Sequence, residues 1–272
     1  MAKTISVLGC GWLGLPFAKA FANMGWTICG STTSPEKIKH LESFGIIPFI
    51  INLNKNESLQ NKQFFSSEYL LINIPPGKTL RHKDAYLPLI NTLEASSIKK
   101  VILVSSTSVY QANNRIAEEI STQTIAQGVS PILDIEREFQ KASFKTTIVR
   151  FGGLVGGTRY PGRFFKADSI VKGAQHPVNL IHLDDCILIL KAIIEQECWD
   201  EIFNGVADTH PPKKEFYTLA AQLANFPSPH FLEDDSSYKI ITNNKIKKLL
   251  GLQFKHPDLL TMLKNKTLWG ET

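Results

Sequence analysis

The chain of 272 residues is 43% hydrophobic and 20% charged, with a formal net charge of +5. That composition excludes a disordered or fibrous chain and allows one large α/β domain, or a domain with a smaller lobe. The basic residues are scattered rather than blocked, which argues against a nucleic-acid partner, and the mild positive excess suits a phosphorylated ligand.

Thr4-Ile5-Ser6-Val7-Leu8 is a short apolar run, rich in β-branched residues, that stops at a glycine. Two more glycines follow in the spacing Gly9-x-Gly11-x-x-Gly14, and a helical apolar pattern begins at once with Leu15, Ala18, Phe21 and Ala22. Strand, glycine turn and helix in this order are the grammar of a dinucleotide-binding unit. Gly9 takes the tight turn, Gly11 lets backbone approach a pyrophosphate, and Gly14 lets helix and strand pack closely. The helix N-terminus then offers N–H groups and a positive dipole end to the phosphates. The plainer alternative is an ordinary tight turn.

Residues 27–31 form the second strand, and Ser34-Pro35 reads as an N-cap followed by proline at the first helical position. The residues between decide cofactor preference. An acidic side chain there would hold both ribose hydroxyls of NAD and repel a 2′-phosphate. This chain has Ser31, Thr32 and Thr33, with Lys37 and Lys39 shortly after, so NADP is preferred over NAD. A third apolar run, 46–51, leads to Asn52 and Leu53, with Asn52 facing an adenine edge. A fourth, 69–72, ends in Asn73-Ile74-Pro75-Pro76-Gly77, a rigid turn at the carboxyl edge where open α/β sheets bind ligands. Helical spacing covers 81–97. The fifth run, 101–104, leads into Ser105-Ser106-Thr107-Ser108-Val109-Tyr110. A helix over 131–142 precedes the sixth run, 146–151, which meets Gly152-Gly153. Six strands alternating with helices predict a doubly wound parallel sheet, a Rossmann fold, over residues 1–155.

From 156 to 272 the texture changes to a small α/β lobe woven onto the sheet, read as the substrate-binding part. Its pieces are an aromatic and basic loop at 159–165, strands at 178–182, 202–204 and 238–242, and helices at 183–195, 213–224, 243–250 and 257–265, with Gly251 ending the third of these helices. Cys10, Cys29, Cys186 and Cys198 form no Cys-x-x-Cys pair and no His cluster accompanies them. Reduced, mostly buried thiols in a cytoplasmic protein without a metal site are therefore expected. No stretch is long and apolar enough to span a membrane, and a strand so near the start leaves no room for a signal peptide.

Assembled, the glycine turn, Ser105-Ser106-Thr107-Ser108-Val109-Tyr110, Arg150-Phe151-Gly152-Gly153-Leu154, His182-Leu183-Asp184-Asp185 and Phe203-Asn204-Gly205 resemble the short-chain dehydrogenase/reductase superfamily. The resemblance is to its extended or atypical, NAD-dependent epimerase/dehydratase-like branch and covers nearly the whole chain. It implies that Gly9, Gly11, Trp12, Leu13 and Gly14 hold the pyrophosphate, and that Ile74, Pro75 and Pro76 border the nicotinamide ribose. Ser106 matches the catalytic Ser or Thr, with Thr107 beside it, and Ser105 lies at the cofactor end of the same strand. The backbone of Arg150, Phe151 and Gly152 would face the carboxamide. Arg163, Phe164 and Phe165 occupy the substrate loop. His182 and Asp184 match a motif that closes the site from behind; their plainer alternative is a core histidine and a helix N-cap.

One departure stands out. Active relatives use a tyrosine four residues before a lysine, the lysine lowering the tyrosine pKa for proton exchange. None of the six tyrosines here has a lysine at that spacing. Aligned on Glu136, the two positions hold Gly128 and Ile132. Tyr110, His82, Tyr160 and Lys166 are the candidate substitutes, Tyr110 being mainly structural in relatives. The expected function is an NAD(P)-dependent oxidoreductase or epimerase/dehydratase-like enzyme on a small polar, sugar-derived substrate. The alternative is a non-catalytic NAD(P)-binding redox sensor. Relatives of this fold often pair through helices, so a homodimer is expected.

Overall fold

The computed structural model describes residues 3–75, 82–166 and 168–269. In chain order the main elements are β1 (Thr4–Leu8), α1 (Gly14–Ala22), β2 (Thr27–Thr32), α2 (Ile38–Glu42), β3 (Ile46–Ile50), β4 (Tyr69–Ile72), α3 (Leu87–Glu94), β5 (Lys100–Ser106), β6 (Arg115–Ala117), α4 (Pro131–Lys141) and β7 (Lys145–Phe151). They continue with β8 (Gly153–Val155), β9 (Ile170–Lys172), β10 (Leu180–His182), α5 (Leu183–Glu195), β11 (Ile202–Gly205), α6 (Lys213–Leu223), β12 (His230–Leu232), β13 (Lys239–Ile241), α7 (Asn244–Leu250) and α8 (Leu259–Lys264).

Seven strands form one parallel sheet in the order β11-β7-β5-β4-β1-β2-β3. The register places Ile5 of β1 beside Ile28 of β2 on one side and Tyr69 of β4 on the other. Chain direction across the sheet reverses between β1 and β4, the switch point where ligands bind in doubly wound folds. The expected Rossmann architecture is thus present, and the 202–204 run is its seventh strand, at the edge beside β7.

The chain divides into two units. The first comprises residues 1–109, 124–149 and 193–202. Its helices follow from local sequence. In α1 the buried face is Gly14, Phe17, Ala18 and Phe21, a helical spacing. In α4 Ser130 caps the amide of Leu133 and Pro131 opens the first turn, while Leu133, Ile135, Glu136 and Phe139 face inward. Phe64, Leu70, Leu93, Val101 and Ile148 belong to the apolar core of this unit. Two expected helices are shorter than read. Residues 83–86 form a 3-10 turn before α3 begins at Leu87 with Pro88 in its first turn, and residue 81 lies outside the described residues. Residues 35–37 are likewise a 3-10 turn, and Ser34 makes no side-chain cap there.

The second unit comprises residues 110–123, 150–192 and 203–272. It holds three short parallel pairs, β10 with β8, β12 with β9 and β13 with β6. Its own core gathers Val155, Leu180, Phe216, Leu259 and Met262. Gly251 ends α7 at φ +61°, as its place after the last apolar residue predicts. All four cysteines are free; Cys10, Cys29 and Cys186 are buried. Among the described residues no helix is long and apolar enough to cross a membrane.

Candidate dinucleotide cleft and its surroundings

The turn after β1 is clamped from both neighbouring strands. From β2, the Ser31 hydroxyl accepts the Gly9 N–H at 2.9 Å and the Ser31 carbonyl accepts the Cys10 N–H at 2.8 Å. From the end of β4, the Asn73 N–H donates to the Leu8 carbonyl at 2.9 Å, and its carboxamide reaches the Gly9 carbonyl at 3.4 Å. Each glycine has a different reason to be there. Gly9 has φ +102°, and a Cβ on it would lie 2.5 Å from the Asn73 carbonyl oxygen. A Cβ on Gly14 would lie 2.1 Å from the Gly9 carbonyl oxygen. The Cβ position of Gly11 has nothing within 4 Å. Apart from its chain neighbours Cys10 and Trp12, nothing crowds that side of the turn; Gly11 is exposed and Trp12 half-buried.

The first bond of α1 runs from the Leu15 N–H to the Gly11 carbonyl at 3.0 Å, so the amides before it stand at the helix N-terminus. In front of them lies a cleft of about 300 Å³. Among its lining residues are Gly9, Gly11, Ser31, Thr32, Thr33, Lys37, Asn52, Leu53, Ile74 and Pro75, the positions expected from sequence. Pro76 lies outside the described residues. Cys10 and Asn73 also line the cleft. Asn73 was legible only as the residue closing its strand; its clamping role depends on the fold. Burial pushes the Cys10 thiol up to about 12, so it stays protonated and unreactive at neutral pH.

The structure refines the expectation at the end of β2. Ser31 is 2% exposed and its hydroxyl is used by the Gly9 amide, so it supports the turn. The Thr32 hydroxyl accepts the Ser34 N–H at 3.1 Å. Thr33 and Lys37 are exposed on the rim. None of the residues lining the cleft is a carboxylate, and Lys37 supplies positive charge.

At the end of β5 the hydroxyl residues part company. The Ser105 hydroxyl donates to the Glu136 carboxylate at 2.5 Å, and Glu136 is fully buried. That contact fixes α4 against β5 and makes the Ser105 side chain structural. Ser106 is half-buried, and its hydroxyl oxygen accepts the Ser108 N–H at 3.1 Å, a local turn that leaves its O–H able to donate. Thr107 is buried. Along the 128–136 stretch, the Gly128 N–H donates to Asp134 Oδ2 at 2.8 Å, and Ile132 is half-buried. No proton-exchanging side chain stands at either position.

Tyr110 must be corrected from a catalytic candidate to a structural residue. It is 3% exposed, donates to Asn204 Oδ1 at 2.6 Å, and accepts from Arg150 Nη1 at 2.8 Å. Burial pushes its phenol up to about 12. Arg150 is fully buried and also donates to the Glu119 carbonyl at 3.2 Å and the Thr122 hydroxyl at 3.1 Å. The Glu119 carboxylate in turn accepts the Asn204 N–H at 2.9 Å. Phe151 is a core residue, and the Gly152 N–H is bonded to the Gly205 carbonyl at 2.9 Å. A Cβ on Gly152 would lie 2.6 Å from the Asn179 carbonyl oxygen. Of the other candidate substitutes, Tyr160 is buried with its hydroxyl on the Ala220 carbonyl at 3.1 Å, while His82 and Lys166 are exposed. Arg163 and Phe164 are exposed, with the Arg163 guanidinium 5.6 Å from the Phe226 ring centre. His182 is 3% exposed and its Nδ1 accepts the Asp184 N–H at 3.1 Å, so the histidine caps α5 where the aspartate was expected to. Burial lowers its pKa to about 4, keeping it neutral. Asp184 is bound instead to His256, a residue that sequence spacing did not single out.

A clamped glycine turn at the switch point of a parallel sheet, uncrowded at its middle glycine, defines a Rossmann-type α/β fold with a candidate dinucleotide cleft. Residues 4–132 match the family described as the NAD binding domain of 6-phosphogluconate dehydrogenase. Protein YeeZ of Escherichia coli (strain K12) is 28% identical over 271 residues, covering 96% of this chain and 98% of its own. Among solved structures, a functionally unknown conserved protein from Silicibacter pomeroyi superposes with a TM-score of 0.79 at 22% identity, over 97% of both chains. A short-chain dehydrogenase/reductase superfamily protein from Agrobacterium tumefaciens with bound NAD superposes with a TM-score of 0.75 at 16% identity, over 96% of this chain and 95% of its own. The fold is therefore shared with that superfamily.

Proposed function

We propose that the protein binds NADP(H) in the 9–14 cleft and acts as an NAD(P)-dependent oxidoreductase or epimerase/dehydratase-like enzyme on a small polar, sugar-derived substrate. The observation that carries the reading is the Gly11 corner. The Cβ side of Gly11 is uncrowded and the cleft beside it has hydroxyls and Lys37 on its rim and no carboxylate lining it. Amides of the turn and the N-terminus of α1 suit a diphosphate. Lys37 and Thr33 suit a 2′-phosphate, where an acidic residue would repel it.

When bound, the nicotinamide supplies a hydride donor or acceptor. Ser106 is the residue of this chain suited to hydrogen-bond a substrate oxygen, because its own O–H remains able to donate. The partner that relatives place in the helix is replaced by Gly128 and Ile132, so proton exchange falls to substrate, solvent or a group outside that helix. The same replacement favours the second reading, a dinucleotide-binding sensor without turnover.

Fluorescence titration with NADPH and NADH tests binding. NADPH is expected to bind at least about tenfold more tightly than NADH, and Lys37→Ala is expected to erase most of that preference, a change of about 1.4 kcal/mol. Failure of both dinucleotides to bind sinks the reading. Oxidation of NADPH by a panel of carbonyl and nucleotide-sugar substrates then separates enzyme from sensor.

A further inference from the structure

Three side chains of metal-ligand type converge at the start of α5, wholly within the second unit. His182, Asp184 and His256 each place one donor atom within 4.8 Å of the other two. The Asp184 carboxylate is the hub: its Oδ2 lies 3.0 Å from His256 Nε2 and 3.5 Å from His182 Nδ1. A tetrahedral zinc ion with bonds of about 2.0–2.2 Å keeps its ligand atoms roughly 3.3–3.5 Å apart, so two of the separations already approach what the ion needs.

The donors are rigidly held. The His182 and His256 rings pack edge to face with centroids 4.2 Å apart. Asp185, 1% exposed, accepts the Lys255 N–H at 2.6 Å and the His256 N–H at 3.0 Å, which pins the backbone carrying the second imidazole. Glycine at 156 makes room, since a Cβ there would lie 2.7 Å from His182 Nε2.

With Nδ1 accepting the Asp184 amide N–H, a neutral His182 carries its proton on Nε2, the ring nitrogen that the cluster does not use. The His182 Nδ1 that accepts the Asp184 N–H also lies 3.5 Å from the Asp184 carboxylate, on the side of the ring where the three donors meet. Two imidazoles and a carboxylate favour zinc-like ions over magnesium or calcium. Asp184 is 40% exposed, so water can complete the coordination.

We propose that His182 Nδ1, Asp184 Oδ2 and His256 Nε2 bind one divalent transition-metal ion of the zinc class. On loading, the ion takes the place of the Asp184 N–H at the His182 lone pair, and the proton held between His256 Nε2 and Asp184 is released to solvent. The proposal uses none of the residues of the dinucleotide cleft and stands or falls independently of it. It also revises the sequence expectation of no metal site, which rested on cysteine spacing.

The test uses untagged protein stripped with a chelator and titrated with zinc chloride alone, by calorimetry and by thermal unfolding. The expected result is one zinc per chain with a raised melting temperature. Asp184→Asn and His256→Gln should each weaken binding by about 100-fold or more, beyond the loss a merely supporting group causes. His176→Gln, near Asp234 in the same unit, should leave it unchanged. Asp184→Asn keeps the shape of a part-exposed side chain and serves as the informative variant should His256→Gln fail to fold. No zinc uptake by the wild type, or uptake undiminished in Asp184→Asn, overturns the proposal.

Discussion

The 9–14 turn of the first unit and the Arg150 network of the second are both rich in hydrogen bonds, and they direct them oppositely. Around the turn, Ser31 and Asn73 bind the backbone from behind, and the Gly11 side opens outward. In the network, Arg150, Tyr110, Asn204 and Glu119 point their polar atoms at one another, and Arg150 is fully buried. The difference teaches how to read a polar cluster in this fold. Donors held rigid and turned toward space make a binding surface; donors turned inward make a scaffold, however reactive the side chains look by type.

The strongest way to break this contrast is Arg150→Met. It strips Tyr110, Thr122 and the Glu119 carbonyl of a charged donor at once, and stability measured by urea unfolding should fall by about 3–5 kcal/mol. A loss under about 1 kcal/mol would show the network to be dispensable. A paired substitution sharpens the other side. Gly14→Ala drives a methyl into the Gly9 carbonyl and should destabilise by about 1–3 kcal/mol. Gly11→Ala meets nothing, so stability should stay within about 0.5 kcal/mol while dinucleotide affinity drops at least about tenfold. Unchanged affinity would mean that the open side of the turn is not where the ligand lies.

The effect confined to the narrowest conditions is a pH dependence. The Tyr110 phenol is pushed up to about 12 by burial, above its ordinary value of 10.0. The folded state therefore keeps a proton that the unfolded state gives up. The stabilisation is fully present below pH 10 and is lost as pH rises from 10 toward 12, by at most about 1.4 kcal/mol per pH unit. Comparing urea unfolding of the wild type and Tyr110→Phe across that range isolates the contribution. Identical slopes would place the phenol in a solvated setting.

The parts of this molecule visible in the sequence are those with a local signature. Gly9, Gly11 and Gly14 carry their geometry in their spacing, and the strands from 4 to 151 are apolar runs long enough to read. Pairs such as β13 with β6 are three residues long and join segments more than a hundred residues apart, so no periodicity marks them. Tyr110 and Ser105 were read by residue type; which way each points is decided by Arg150 and Glu136, and neither direction is encoded nearby. Ser31 shows the same limit on a smaller scale, since the inward face of β2 makes it a clamp for Gly9. His256 was invisible because its partner Asp184 lies 72 positions earlier.

That separation has a consequence for how the protein is made. Asp185 holds amides 70 and 71 positions downstream, and until those amides are synthesised its carboxylate has nothing to grip. The entrance to α5 is thus completed by chain lying far downstream, so a protein truncated before residue 255 would leave this carboxylate without the two amides that offset its burial.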